Sequence, residues 1–373
     1  MVAASPDLFG WSPNPDGVDQ ILADPTVPVE DWTANIKANL RPTCLDSDIK
    51  VRDKSIYAPT EPWQRDFGSA PYTAIDWRAL KGEAPVLLYK PLLELMPSWR
   101  RGNQGIGDCV SWGWELLCTI LSAVQIRMLK RPELWRGPFA TEPIYGGSRV
   151  EVEGGRQAGY QDGSYGGAAA KFVSLWGALL RQNYSVVTGN PEHDLTTYDK
   201  DKAKQWGNYG CGGKNDGGKL DLVAKERPVR TIARVTDFDA AALSIINGYG
   251  VAVCSGAGFT RRGQGGFLTW DTTWMHCMYF IGVRFDTPAL LLVQSWGPSP
   301  WGMETPHWPD DIPQNFRGCT GWVRAADVTR MLRGGDSYAG SDYAGFVRRP
   351  LTWEGGGAIG RRSRLKRSLL LAA

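Results

Sequence analysis

The stretch from Asn103 to Trp112 reads NQGIGDCVSW and puts Cys109 at the first turn of a long apolar run, five residues after Gln104. A helix N-terminus carries partial positive charge and unpaired N–H groups, and both favour the thiolate, the reactive form of cysteine. A glutamine amide beside the backbone N–H of Cys109 could bind the oxyanion of a tetrahedral intermediate. A second segment, Trp274 to Gly282, reads WMHCMYFIG and places His276 at the start of an apolar strand. A third, LLLVQSWG, ends a buried strand on Gln294 and follows it with Trp296. An amide oxygen there could hold an imidazole N–H, and the indole could shield that bond from water. Taken singly, each has a structural reading: a small buried cysteine, a satisfied core histidine, a polar strand end.

The elements that must carry these residues are legible. Asp108 is a good N-cap. Val110, Trp114, Leu117, Leu121, Val124 and Met128 follow at helical spacing, and Pro132 stops the run. A second helix is expected from Gly166 to Leu180 and a short one over Asp239–Asn247. Val251–Cys254, Met278–Val283 and Leu290–Gln294 are short apolar runs bounded by Gly, Pro or Asp, and read as strands. The stretch 146–167 is Gly-rich and polar, and residues 186–220 read as loop. Gly213–Lys219 has the glycine and lysine spacing of a phosphate loop. It lacks the hydroxyl residue, since Leu220 stands there, and no apolar strand precedes it. Gly263–Gly266 reads as a hairpin tip, and His193 and His307 as solvated loop residues. Helices in the first half and strands in the second predict an α+β protein of two lobes.

Composition narrows the function classes. The chain has 373 residues, 42 Lys+Arg against 39 Asp+Glu, and a formal net charge of +3, too even to imply a nucleic-acid partner. No uninterrupted run approaches the ~18 apolar residues of a membrane helix, so no membrane insertion is expected. The first residues lack the basic and apolar regions of a secretory signal, which leads to the expectation of a cytoplasmic protein. Seven cysteines, widely spaced and without CxxC pairs, predict reduced thiols and no structural zinc. No metal and no cofactor is expected.

Together the three segments resemble the papain-like cysteine peptidase family. Gln104, Cys109, His276 and Gln294-Ser295-Trp296-Gly297 stand in that family's order. Ile75-Asp76-Trp77-Arg78 is similar to its mature N-terminus, Asp162-Gly163-Ser164-Tyr165 to its substrate-binding strand, and Ser299-Pro300-Trp301-Gly302 to its second Trp-Gly. The resemblance covers residues 75 to 335. It implies a papain-like two-lobed fold with a cleft between a helical lobe, about 100–225, and a strand-rich, barrel-like lobe, about 226–330. These make up a catalytic domain over 71–340, preceded by an extended arm over 1–70 and followed by a basic tail over 341–373.

The resemblance also implies a Cys109 thiolate paired with a His276 imidazolium, Gln104 in the oxyanion hole and Gln294 orienting the imidazole. Gly163, Ser164 and Trp296 would bind a peptide or protein substrate. The chain departs from the family in several places. Gln294 stands where Asn is usual, the Gln104–Cys109 loop is one residue shorter, and Asp108 sits beside the nucleophile. Ile106 stands near the place of a disulfide cysteine. Cys109 and His276 are 167 residues apart, against about 130–150 in the family signature. No inhibitory propeptide helix is recognisable in residues 1–70. The stretch MLRGGDSYAG, from Met331, resembles papain-like proteins carried on phage genomes. A catalytically weak papain-like binding or virion component is the alternative to an active peptidase.

Overall fold

A computed structural model describes residues 10–27, 29–30, 81, 83–128, 135–155, 161–214, 216, 218–224, 229–259, 261–262, 267–297, 313–316 and 318–341. The expectations for Ile75–Arg78, Ser299–Gly302, His307 and the Gly263–Gly266 tip lie outside these residues.

Eight strands form one sheet. They are β1 (Val29–Glu30), β2 (Val86–Leu87), β3 (Thr231–Arg234), β4 (Val251–Gly258), β7 (Thr272–Arg284), β8 (Ala289–Val293), β9 (Thr320–Arg324) and β10 (Ser337–Ser341). A separate two-stranded ribbon pairs β5 (Arg261–Arg262) with β6 (Leu268–Thr269). The large sheet runs β1-β3-β10-β4-β7-β8-β9, with β2 on β7. Every pair in it is antiparallel except β1 with β3. Helices packed on an antiparallel sheet make this the expected α+β class.

The Cys109–Met128 helix runs as predicted and is the centre of the molecule. Its length and composition would suit a membrane span, but 89% of its most apolar window is buried in protein. It packs against β7 because Gly113 faces that strand; a Cβ there would lie 2.8 Å from Cys277 Sγ. Helix and strand backbones therefore approach more closely than any other residue would allow.

Several expectations change. The strands are longer than their apolar runs. β7 begins at Thr272, four residues before His276, because β4 continues past a register shift at Ser255/Ala257 and pairs with Thr272 and Thr273. The expected helices are shorter, at Gly166–Leu175 and Phe238–Ile246. The stretch 186–220, read as loop, holds helices at Ser185–Thr188, Lys200–Tyr209 and Lys219–Ala224. Asp199 caps the second of these by accepting the N–H groups of Asp201 and Lys202, while Ala203 and Trp206 alone among its apolar residues are buried. Two apolar anchors in ten residues leave little periodic signal. Glu142–Arg149 is also helical; Gly146 and Gly147 within it face the backbone of Gly210 and the ring of Phe172.

The N-terminal arm is not wholly extended. Pro15–Ala23 is a helix whose Asn14 cap accepts the N–H of Gly17, with Val18 and Ile21 buried. β1 follows and pairs with β3. At the other end, β10 extends past residue 330 and sits between β3 and β4 in the middle of the sheet.

Candidate active site

Cys109 opens the central helix and is fully buried. Its sulfur accepts the backbone N–H of Cys277 at 3.2 Å. His276, the preceding residue on β7, lies opposite Ser255 of β4 and is also fully buried. The helix–strand contact at Gly113 therefore brings together two residues remote in sequence. The imidazole stacks on Trp296, centroids 4.3 Å apart and planes at 23°, and Trp296 in turn meets Trp274 edge-on at 4.8 Å. Neither ring nitrogen of His276 has a hydrogen-bond partner among the described residues.

Gln294 does not hold the imidazole in this arrangement. Its Oε1 accepts the backbone N–H of Trp296, and its Nε2 donates to the carbonyl of Gly297 at 3.4 Å. The longer side chain, one methylene beyond the usual Asn, folds back on its own turn and fixes the loop that carries Trp296. Trp296 then covers His276 as expected, but no Gln294–His276 bond lies beneath it.

Gln104 is joined to the same turn. Its backbone N–H donates to the carbonyl of Ser295 at 2.8 Å, and its Oε1 accepts the Ser295 hydroxyl. Asn103 bridges Trp296. The Gln104 amide nitrogen donates to the carbonyl of Ile106 at 2.9 Å, within the short loop before Cys109. The cysteine loop and the Gln294–Gly297 turn thus form one hydrogen-bonded unit.

Asp108 is fully buried, with Oδ1 on Trp112 Nε1 at 3.1 Å and Oδ2 on Tyr198 Oη at 3.0 Å. It is engaged by side chains rather than by the N–H groups of the first helical turn. Burial pushes its carboxyl well above the ordinary range, which lessens the repulsion of a neighbouring thiolate. Arg101, a residue that sequence reasoning missed, lies beneath the site. It pairs with Glu115 at 2.8 Å and donates to the carbonyls of Trp112, at 3.0 Å, and Gln294, at 3.3 Å. No local motif marks it, because its partners come from the helix and from a strand end 193 residues away.

The site is closed from outside by the chain's own N-terminal segment. The carbonyl of Gly10 accepts the N–H of Ser164 at 2.8 Å, and the N–H of Ser12 donates to the carbonyl of Ser164 at 2.8 Å. The N–H of Trp11 donates to the carbonyl of Met275 at 3.2 Å. Residues 10–12 therefore lie as an extended strand between the Asp162–Tyr165 segment and the start of β7. Gly10 is pressed so closely on Gly107 that a Cβ would lie 1.8 Å from its carbonyl oxygen. Of the expected substrate-binding residues, Gly163 adopts φ +128° and faces Ser12, and Ser164 is the pairing partner.

Closure sets the protonation states. Burial pushes the Cys109 thiol well above the ordinary cysteine range; the neighbouring Cys277 adds to this, while the N–H groups of Cys277 and Gly10 oppose it. Burial, with the charge of Arg101 acting in the same direction, pushes His276 down to about 3. The closed form favours a neutral thiol and a neutral imidazole instead of the expected ion pair.

His193 is a core histidine, not a solvated one: it is fully buried, edge-on to Trp206, with Nδ1 on Thr188 Oγ1 at 2.8 Å and Nε2 near the Gly212 carbonyl at 2.9 Å. Six of the seven cysteines are described, and all six are buried, with no disulfide among them. Among the described residues no group of three His, Cys, Asp or Glu could hold a metal ion.

No family model and no curated protein sequence matches the chain. Similar solved structures include xylellain, a cysteine protease from Xylella fastidiosa, at 14% identity and TM-score 0.47, over 73% of this chain and 90% of that one. A second is the ragweed pollen allergen Amb a 11, a cysteine protease solved in its proform, at 13% identity and TM-score 0.39, over 77% and 68%. A third comprises the cysteine protease and lectin-like domains of a surface-layer-associated protein of Clostridium difficile, at 14% and TM-score 0.39, over 68% and 51%. These three are cysteine proteases. The motif resemblance pointed to the same group. Likeness at such identities says nothing of chemistry, which rests on the geometry around Cys109.

Proposed function

We propose that the chain is a cysteine-type peptidase or amidase that acts once residues 10–12 leave the site. The observation that carries this reading is the Cys109 sulfur at the N-terminus of a buried helix, in hydrogen-bond contact with the peptide joining His276 to Cys277. A side chain poised there can do nucleophilic chemistry when an imidazole takes its proton. Admitting water and substrate removes part of the desolvation that keeps both groups neutral, and the helix terminus then favours the thiolate.

The thiolate attacks an amide carbonyl carbon, and the C=O pair moves onto oxygen. The N–H of Cys109 and the amide of Gln104, which the Ser295 hydroxyl orients, stabilise that oxyanion. His276 gives its proton to the leaving nitrogen as the C–N bond breaks. It then takes a proton from the water that cleaves the thioester, which regenerates the thiol. The substrate is a peptide or protein laid along Ser164, since that backbone edge already pairs with an extended strand.

The test is hydrolysis of a peptide library by the wild-type chain, a Gly10→Ala form and a Cys109→Ser form. Hydrolysis that survives Cys109→Ser would overturn the assignment. A second reading, a papain-like binding or virion component, is favoured by one observation: Gln294 is spent on its own turn and leaves His276 unoriented. On that reading the opened protein binds peptides and hydrolyses none.

A further inference from the structure

Trp11 is held by more than its backbone. Its indole Nε1 donates to Asp336 Oδ2 at 2.9 Å, and both residues are buried. Asp336 stands in the turn before β10 and also accepts the N–H groups of Gly166 and Gly167, each at 2.7 Å, at the start of the Gly166–Leu175 helix. Its orientation is therefore set by two backbone donors, independently of Trp11. The far edge of the indole lies over Gly334, whose Cβ position is in ordinary van der Waals range, 3.7 Å, of Trp11 Cη2. The result is a slot with an apolar wall of glycine and one fixed acceptor at its floor. It opens on the track between Ser164 and Met275 along which residues 10–12 lie.

We infer that this slot is a specificity pocket for tryptophan in an extended peptide ligand, with Asp336 as the residue that selects the indole and Trp11 as its resident in the closed chain. The inference rests on the peptide-binding part of the proposed function, but it does not need the chemistry at Cys109. Selection follows from the buried acceptor. A ligand with phenylalanine fills the slot yet leaves the Asp336 carboxylate without the donor that Trp11 supplies, and an unmade bond to a buried charged or polar acceptor is costly. Alanine forfeits the apolar contact as well. A flexible cation such as arginine brings a donor but must give up its hydration inside the slot.

The experiment uses the full chain with Trp11→Ala, which empties the slot, and a fluorescent peptide of sequence LFGWSP, copied from residues 8–13. Anisotropy titrations compare this peptide with versions bearing Phe, Ala or Arg in place of Trp. The Trp peptide should bind at least about tenfold more tightly than the Phe peptide, the factor expected for one hydrogen bond to such an acceptor. The wild-type chain, whose slot is filled, should bind it more weakly than the variant does. Asp336→Asn in the Trp11→Ala background should erase the preference for Trp over Phe, because one of its positions becomes a donor facing donors. If Trp11→Ala does not fold, Trp11→Phe fills the slot with a smaller ring that lacks the indole donor, and the Trp peptide should displace it more readily than it displaces Trp11 in the wild-type chain, while the Phe peptide should not.

Equal binding of the Trp, Phe and Ala peptides would overturn the inference, as would preference for Arg. Hydrolysis is read separately. Selective binding without cleavage would leave the pocket standing and remove the peptidase reading; cleavage without Trp preference would do the reverse.

Discussion

The sulfur of Cys109 receives the backbone N–H of Cys277 at 3.2 Å, so the nucleophile candidate touches the peptide that carries His276. The contact exists because a glycine, Gly113, faces β7 one helical turn after Cys109. It places thiol and imidazole on facing elements beneath a strand supplied by the N-terminus.

That cover gives the first prediction. In Gly10→Ala the new Cβ would meet the Gly107 carbonyl, a backbone clash that pushes the segment and the Gly107 loop apart and loosens the cover. Iodoacetamide labelling of Cys109 at pH 7, followed by peptide mapping, should be about tenfold faster or more in the variant, the factor for ~1.4 kcal/mol of displaced equilibrium. An unchanged rate would show that residues 10–12 do not limit access.

Acid stability follows from His276. Folded, its imidazole stays neutral down to about 3; unfolded, it takes up a proton near 6.5. Above pH 7 neither state is charged and the group contributes nothing to pH dependence. As pH falls through 6.5 the unfolded chain gains a proton that the folded one refuses, so stability drops until about 3. At pH 5 the loss amounts to about 2 kcal/mol. Burial raises the carboxyls of Asp108, Glu115 and Asp336, which act in the opposite sense. Denaturant melts of wild type and His276→Gln at pH 7.5 and pH 5 isolate the histidine. The variant should lose less stability on acidification, and equal losses would contradict the buried neutral ring.

Arg101 and Glu115 form a buried pair, with side chains 2% and 7% exposed. Arg101→Ala leaves Glu115 without a counter-charge and three carbonyl or carboxylate acceptors without their donor. The expected destabilisation is about 3–5 kcal/mol, measured by urea denaturation. A loss below about 1 kcal/mol, as for a surface pair, would refute the structural role.

Gln294 and Trp296 should act as one unit. Gln294→Ala removes the acceptor of the buried Trp296 N–H and frees the indole that covers His276. Both Gln294→Ala and Trp296→Ala should lower kcat, and the double variant should be little worse than the poorer single one. Additive losses would mean that Gln294 reaches the imidazole independently, as the sequence suggested.

Much of the framework was readable because its signals are periodic. The Cys109 helix announced itself by six apolar residues at helical spacing, and β4, β7 and β8 by apolar runs between turn residues. What escaped notice depends on contacts between remote segments. Trp11 sits among prolines and aspartates, and nothing local says that its indole meets Asp336, 325 residues away. The Lys200–Tyr209 helix buries only Ala203, Trp206 and Gly207. Gln294 stands just past its strand end, as its apolar run implies, but its side-chain partner is not legible locally, since an amide can turn back on its own loop as readily as it can reach across to an imidazole.

The peptidase account is tested most directly by exposing the Gly10→Ala protein to an epoxysuccinyl peptide and locating the adduct by mass spectrometry, alongside His276→Ala in the same background. The account predicts one adduct on Cys109, formed far faster than on the other cysteines and slowed by a factor of about 10² or more when His276 is removed. Labelling spread evenly over the cysteines, or a Cys109 rate indifferent to His276, would contradict it.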